Sequence, residues 1–300
     1  MTSLNARAAL LAVGLTAAVA VGGARADDMA KPDLFDSGKL LATGGVTQVE
    51  GAGGGGLVPW ALVTGYGTSD SIGANAHYTY VGLRDFSLHS AGLSVGLFDR
   101  VELSYARQTF DTGKTGAQLG IGNGFRFEQN VLGAKVRLFG DAVYGQDSWL
   151  PQTAVGIQYK ANTQDRILKA VGAKDANGID YYVAATKLFL DQSLLVNATV
   201  RLTRGNQYGL LGFGGDRNDA YRPEFEGSAA YLVTKKLAVG AEYRMKPDNL
   251  GFAKEDRAFD VFAAYFLNKN ASLTLAYVDL GDIATKKRQN GVYASLQVGF

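Results

Sequence analysis

The sequence has no cysteine, only five prolines and only two histidines among its 300 residues. The missing cysteine excludes disulfide bonds, thiolate metal sites and cysteine nucleophiles. The chain also has no marked excess of charge, since 30 Lys and Arg residues stand against 28 Asp and Glu residues. A nucleic-acid-binding protein would carry a basic imbalance, so we expect no nucleic-acid partner.

Residues 1–26 have the pattern of a secretory signal. Arg7 provides a positive charge, residues 8–21 are apolar, and residues 24–26 have the small-x-small pattern that signal peptidase cleaves. The apolar run is short for a membrane-spanning helix, which needs about 20 residues, so a membrane anchor is the weaker interpretation. We predict Sec-type export with cleavage near Ala26, which leaves residues 27–38 as a short periplasmic segment.

After this signal, the chain has no apolar run of 18 residues, which excludes membrane-spanning helices there. Its content of 11% aromatic and 47% hydrophobic residues argues against a disordered chain. Apolar and polar residues instead alternate in segments of about 9–11 residues, the length of a tilted membrane strand. Examples are residues 194–203, 237–245 and 259–267. We predict an all-β, transmembrane up-and-down antiparallel β-barrel over residues 39–300.

The connections between these segments alternate between short and long. Short turns are expected near residues 98–100, 191–193, 234–236 and 268–272. Longer polar stretches are expected at residues 111–125, 161–178, 204–221, 246–257 and 280–290. Membrane barrels have short periplasmic turns and long extracellular loops, so the alternation assigns the two ends. Residues 140–150 break the pattern, because they are long but fall on the short-turn side.

The strand count depends on the N-terminal part of the barrel. About thirteen strands are expected from Leu57 onward, the first at residues 57–67, and bacterial barrels normally have an even number of strands. Residues 39–49 then serve as a first strand, with residues 51–56 as its extracellular connection, and the barrel has fourteen strands. Two alternatives remain: a twelve-stranded barrel with a misread segment, or a plug in which residues 39–56 run up the inside.

Three-residue turns also predict the register of three hairpins. They pair Leu97 with Val101, Leu190 with Leu194, and Val233 with Leu237, which keeps each apolar set on one face. The third hairpin places Glu226 opposite Arg244 on the other face. We predict that these two side chains form an ion pair inside the barrel.

The end of the chain carries an apolar stripe, Val292, Ala294, Leu296, Val298 and Phe300, that ends on the terminal phenylalanine. The stripe resembles the terminal strand that the barrel-assembly machinery of Gram-negative outer membranes recognises, with Leu296, Val298 and Phe300 as the signal. It departs from that pattern at Ala294, where an aromatic residue is favoured. The expected partners are this machinery, outer-membrane lipid and lipopolysaccharide.

Strand parity places nine charged residues on the face that points into the lumen. They are Glu102, Lys135, Arg137, Arg201, Glu224, Glu226, Glu242, Arg244 and Asp260. The signs are mixed, whereas a charge-selective pore more often has a ring of one sign. The sequence is therefore compatible both with an open aqueous path through the lumen and with a closed structural network.

The sequence offers no convincing catalytic, cofactor or metal site. The glycines of residues 51–56 lack the Lys-Ser/Thr that a phosphate-binding loop requires. His77 and His89 have no cluster of further ligands beside them in the sequence. Residues 175–180 lack the terminal glutamate of a calcium loop. We expect no enzyme, no cofactor and no metal.

Four segments carry a family resemblance: residues 44–61, which contain the glycine run, and residues 76–80, 100–104 and 149–152. Together they resemble an uncharacterised proteobacterial family, domain of unknown function 3034, whose members are porin-like. The resemblance implies a barrel in the outer membrane and carries no functional residues. The leading hypothesis is passage of a small water-soluble solute, and the alternative is a closed-lumen structural or surface-interaction barrel.

Overall fold

A computed structural model describes residues 33–300, and the predicted signal, residues 1–26, lies outside the described residues. The described part forms a closed barrel in which each strand pairs antiparallel with its neighbours in sequence. The last strand pairs with the first and closes the wall. The prediction of an up-and-down antiparallel barrel is confirmed. Between residues 33 and 300, no helix is long and apolar enough to cross a membrane.

The wall has twelve strands. A two-residue pair inside the barrel precedes them, β1 (Val46–Thr47) and β2 (Gly53–Gly54). The wall strands are β3 (Ile72–Leu83), β4 (Ser87–Leu97), β5 (Val101–Asp111), β6 (Arg126–Phe139), β7 (Gln152–Asn162), β8 (Asn177–Phe189), β9 (Leu194–Thr203), β10 (Arg222–Thr234), β11 (Leu237–Met245), β12 (Arg257–Phe266), β13 (Ala271–Asp279) and β14 (Asn290–Gly299). The loops contain helices α1 (Gly113–Gln118) and α2 (Asp165–Ala170) and a 3-10 turn, Asn206–Gly209.

The outer face of the wall is apolar, and the inner face is largely polar. Along β9, Val196 and Leu202 are exposed, whereas Thr199 and Arg201 are buried. Burying polar side chains while exposing apolar ones to water would be unfavourable on both faces. The arrangement suits a barrel whose exterior contacts lipid, as in outer-membrane proteins. The chain is therefore an outer-membrane barrel.

The predicted count of fourteen strands is wrong, and the twelve-stranded alternative is the one observed. Residues 39–49 and 57–67 form no wall strands. Both edges of β3 are occupied, by β4 and by β14, so the wall has no place for a further strand. Residues 39–66 instead fold inside the barrel, which corresponds to the plug alternative. Glycines allow the bends, since Gly51 has φ 97° and Gly65 has φ 77°.

Of the three predicted hairpin registers, one is confirmed, one is confirmed except at the turn, and one is wrong by a residue. Leu97 pairs with Val101 as predicted. A bulge pairs Leu237 with Thr234 rather than Val233, although Glu226 still lies opposite Arg244. The remaining hairpin is shifted by one residue, because Leu194 pairs with Phe189 rather than Leu190. Leu190 leaves the ladder since its amide donates to the Gln146 side chain of the unusual 140–151 connection.

The long loops and the short turns lie at opposite ends of the barrel. The loops fold inward, and Tyr208, Leu210, Phe213, Leu168 and Ile283 are all buried. At the other end, the connection between β6 and β7 has no regular element, and Trp149 is 87% exposed there. By the usual rule for such barrels, the short-turn end faces the periplasm.

Candidate functional site

The lumen is occupied by the plug, which we define as residues 39–66. From residue 46 onward every plug residue is buried. Its backbone turns back on itself, pairing Val46 with Gly54 and Thr47 with Gly53. The plug has one charged residue after Lys39, which is Glu50. The site is therefore the interface between this segment and the inner wall.

Glu50 lies at the centre of a buried cluster of six charged groups. Its carboxylate contacts Lys160 and is 2.7 Å from Arg244 Nη1 and 3.9 Å from Arg201 Nη2. Two wall carboxylates complete the cluster. Asp180 Oδ2 is 2.7 Å from Lys160 Nζ, and Glu226 Oε1 is 3.2 Å from Arg244 Nε. The predicted ion pair between Glu226 and Arg244 is thus confirmed.

The charges in this cluster balance only when the plug is present. The wall contributes three cations, Lys160, Arg201 and Arg244, and two carboxylates, Asp180 and Glu226. The carboxylate of Glu50 supplies the third negative charge. All six side chains are at most 2% exposed. Buried charges need balanced partners, so the plug neutralises the wall at this level.

A second contact between wall and plug is the pair Lys135–Glu102, from β6 and β5. The two side chains are 2.9 Å apart. Lys135 Nζ also donates to the carbonyls of Gly53, Trp60 and Leu62 at 2.6–3.1 Å. Glu102 accepts from the amides of Gly53 and Thr64, each at 2.9 Å. The lysine of this ion pair therefore satisfies carbonyl groups of the plug backbone, and the glutamate satisfies amide groups.

Neutral wall side chains satisfy further backbone groups of the plug. Gln297 accepts from the amide of Thr47 at 2.8 Å, and Thr186 accepts from the amide of Ala61 at 2.8 Å. Ser90 donates to the carbonyl of Val49 at 2.7 Å. The plug is thus held from several sides by hydrogen bonds, each of which contributes about 0.5–1.5 kcal/mol.

The long loop between β9 and β10 reaches onto the charged cluster. The carbonyl of Tyr208 accepts from Lys160 Nζ at 3.1 Å, and the Arg244 guanidinium lies 4.1 Å from the centre of the Tyr208 ring. Below the same loop, Glu255 accepts from the amide of Gln207 at 2.8 Å and lies 3.7 Å from Lys246. Burial raises the pKa of Glu255 to about 7, although Lys246 opposes the rise.

Of the nine charged residues predicted to face the lumen, Glu224 is buried near the loop end of β10, Arg137 lies at the opposite rim, and seven lie deep inside the barrel. The seven are Glu102, Lys135, Arg201, Glu226, Glu242, Arg244 and Asp260. At the short-turn rim, Arg137 binds Asp99, Asp141 and the carbonyl of Gly140. Of the terminal stripe, Leu296, Val298 and Phe300 are exposed on the outer face.

Sequence reasoning missed three members of the central cluster. Lys160 and Asp180 face inward on β7 and β8, and the alternation of those strands contains the information needed to place them. Glu50 gives a different signal, since it is the sole charged residue in residues 40–66. An isolated charge in an apolar, glycine-rich segment requires a buried partner if that segment is buried.

The histidines do not form a catalytic arrangement. His77 Nε2 lies 3.4 Å from Ser90 Oγ, but the Ser90 hydroxyl donates to the carbonyl of Val49. His77 Nδ1 has no hydrogen-bond partner that would orient the ring. His89 lies on the outer face and bonds the hydroxyl of Tyr78. Over residues 33–300, no group of three or more His, Asp or Glu residues is arranged to hold a metal.

The model of the family "Protein of unknown function (DUF3034)" matches residues 43–297, from within the plug to the last strand. The chain belongs to this family. The match confirms the predicted family resemblance and includes nearly all the plug. A search of curated proteins found no match by sequence.

Several solved structures are similar to this chain. The KdgM porin has a TM-score of 0.48 and 12% identity, covering 75% of this chain and 99% of its own. The COG4313 outer membrane channel from Pseudomonas putida F1 has a TM-score of 0.47 and 13% identity, and the match covers 81% of this chain and 96% of the channel. Outer membrane phospholipase A from Escherichia coli has a TM-score of 0.41 and 9% identity, and the match covers 76% of this chain and 92% of the phospholipase. At such scores, neither transport nor enzymatic activity follows from the similarity.

Proposed function

We propose that the protein is a porin-like outer-membrane channel for a small water-soluble solute, closed by the plug in the structure described above. The observation that carries this proposal is that a separable chain segment, rather than side chains of the wall, fills much of the lumen. A twelve-stranded barrel is wider than the eight-stranded barrels that side chains alone can fill. Removing the plug would leave a wide lumen lined largely by polar groups.

The attachment of the plug supports its removal through one end of the barrel. The amide of Lys39 donates to the carbonyl of Tyr66 at 3.1 Å, so the two ends of the plug lie side by side. Lys39 also pairs with Asp99 in a short turn at 2.7 Å, and the amide of Tyr66 donates to Phe300. Both ends are therefore at the periplasmic rim, and the segment can withdraw there without threading.

The charge balance favours a solute with an anionic group. Withdrawal of Glu50 leaves three wall cations facing two carboxylates. A carboxylate or similar anion on the solute would restore the balance that Glu50 provides in the closed state. Glu50 then acts as an internal substitute for the solute, and the two compete for the same cations.

The second candidate is a closed barrel with a structural or surface-binding role. The number of wall side chains bonded to the plug backbone favours it, because each must be released for the lumen to open. We propose no enzymatic function, since the hydroxyl of Ser90 is committed to the plug and His77 has no orienting partner. We also propose that the assembly machinery binds the exposed residues Leu296, Val298 and Phe300, and that lipid and lipopolysaccharide surround the wall.

Planar-bilayer recording separates the two candidates. The test compares the mature chain with a variant in which a short Gly-Ser linker replaces residues 40–65. A gated channel predicts rare openings for the mature chain and steady conductance for the variant, with anions carrying most of the current. The variant must first migrate as a folded barrel on unheated gels. A folded variant without conductance would support the closed barrel instead.

A further inference from the structure

Two buried carboxylates, Glu242 of β11 and Asp260 of β12, lie side by side on the inner wall. They are directly opposite each other in the strand register and are 2% and 1% exposed. Opposite residues in such a pair have Cβ atoms about 4.5–5.5 Å apart, and like charges there repel. Within residues 33–300, no Lys, Arg or His side chain is in ion-pair contact with either carboxylate. The central cluster, in contrast, pairs each of its carboxylates with a cation.

The two carboxylates differ in their hydrogen bonds. Glu242 accepts from the amide of Leu57 at 2.7 Å and from Ser228 Oγ at 2.8 Å. Neither carboxylate oxygen of Asp260 has a hydrogen-bond partner among the described residues, and the same is true of the hydroxyl of Tyr293, which is 1% exposed. Buried polar atoms in native proteins nearly always have a partner, so these atoms indicate one that the polypeptide does not supply.

The unpartnered atoms converge on one small space beside the plug. A Cβ atom placed on Gly56 would lie 3.4 Å from Asp260 Oδ2 and 3.4 Å from Tyr293 Oη. The neighbouring Gly55 packs directly against the carboxylate of Glu242. Because Gly56 has no side chain, no plug atom occupies this position, which Asp260 of β12 and Tyr293 of β14 face, while Glu242 of β11 lies against the neighbouring Gly55.

We propose that this space binds one divalent cation of the calcium class. A divalent ion balances the two carboxylate charges that no basic side chain balances. Carboxylate and hydroxyl oxygens are the ligands that hard cations prefer. The ion lies between β11, β12 and β14, beside Gly56 of the plug. This site stands apart from the cluster around Glu50 and does not depend on conduction by the barrel.

The test uses the mature chain, refolded in detergent and potassium chloride with either calcium chloride or EDTA. After free ions are removed, bound calcium is measured by mass spectrometry and Tm by tryptophan fluorescence. We expect one calcium ion per chain and a higher Tm than in EDTA. Asp260→Asn is expected to bind no calcium and to have the same Tm in both buffers. Glu224→Gln, which changes a buried inner-face glutamate away from the site, is expected to bind calcium normally.

Asp260→Asn removes one of two repelling charges, so we expect it to fold. A mature chain that binds no calcium and has the same Tm in both buffers would overturn the proposal. If Asp260→Asn were then more stable than the parent chain, the two carboxylates would share a proton instead. Calcium retained by Asp260→Asn would also contradict the proposal, because the ion would lie elsewhere.

Discussion

Glu50→Gln tests whether charge balance holds the plug in the barrel. The substitution keeps the size of the side chain, and its amide oxygen can still accept from Gln48 and Arg244, which donate to Glu50 Oε2 at 2.9 and 2.7 Å, but its amide nitrogen cannot accept from Lys160. It removes the negative charge that neutralises Lys160, Arg201 and Arg244. The largest change is therefore an unbalanced positive charge in a buried site.

Removing one partner of a buried ion pair costs about 3–5 kcal/mol. Only the plugged state loses this energy, because water can solvate the cations once the plug has left. Since every 1.4 kcal/mol is a factor of ten, the ratio of open to closed states rises about 10²–10⁴-fold. Single-channel recording gives this ratio as the time spent open divided by the time spent closed.

A second substitution makes the prediction specific to charge. Glu50→Gln with Lys160→Met leaves Arg201 and Arg244 against Asp180 and Glu226, so the cluster is balanced again. We expect the double variant to have an open probability closer to that of the parent chain than to that of Glu50→Gln. If Glu50→Gln alone leaves both the open probability and the thermal stability unchanged, charge balance does not hold the plug.

Three further predictions concern other contacts of the plug and of the loop of residues 204–221 above it. Lys135→Met should lower the Tm and raise the open probability, because three plug carbonyls lose their donor. Gly55→Ala should destabilise the plugged state, since its Cβ would overlap Glu242, whereas Gly227→Ala, with only Asn197 O at 3.6 Å, should have little effect on the Tm. The folded pKa of Glu255 lies above its ordinary 4.5, so the loop contact should be most stable below pH 4.5 and weaken as pH rises to about 7. Protection of the amides of residues 204–221 against hydrogen exchange, corrected for intrinsic rates, should decrease over this pH range in the parent chain. In Glu255→Gln the protection should not depend on pH.

The wall of the barrel was predictable because each strand must satisfy lipid on one face and a polar interior on the other. Apolar and polar residues therefore alternate with a period of two in strands such as β9 and β11. The same parity places Arg201, Glu226 and Arg244 inside without knowledge of their partners. The ion pair between Glu226 and Arg244 followed because adjacent strands fix cross-strand neighbours.

The plug was not predictable in the same way. Its residues Val46, Leu57 and Trp60 pack against apolar side chains that line part of the inner wall, among them Leu195 and Phe262. An apolar segment inside the barrel therefore has the same composition as a short lipid-facing strand. The contacts of Glu50 span more than 100 residues of sequence, and no spacing rule encodes them.

The hydrogen bond between Gln297 and the amide of Thr47 joins residues 250 positions apart, from the last wall strand to the first part of the plug. It cannot form until β14 has been synthesised and has met β3. Contacts of such long range make folding slow. This contact of the N-terminal segment therefore depends on closure of the final seam. The same strand thus closes the cylinder and holds the plug, and a chain lacking its last strand forfeits both functions.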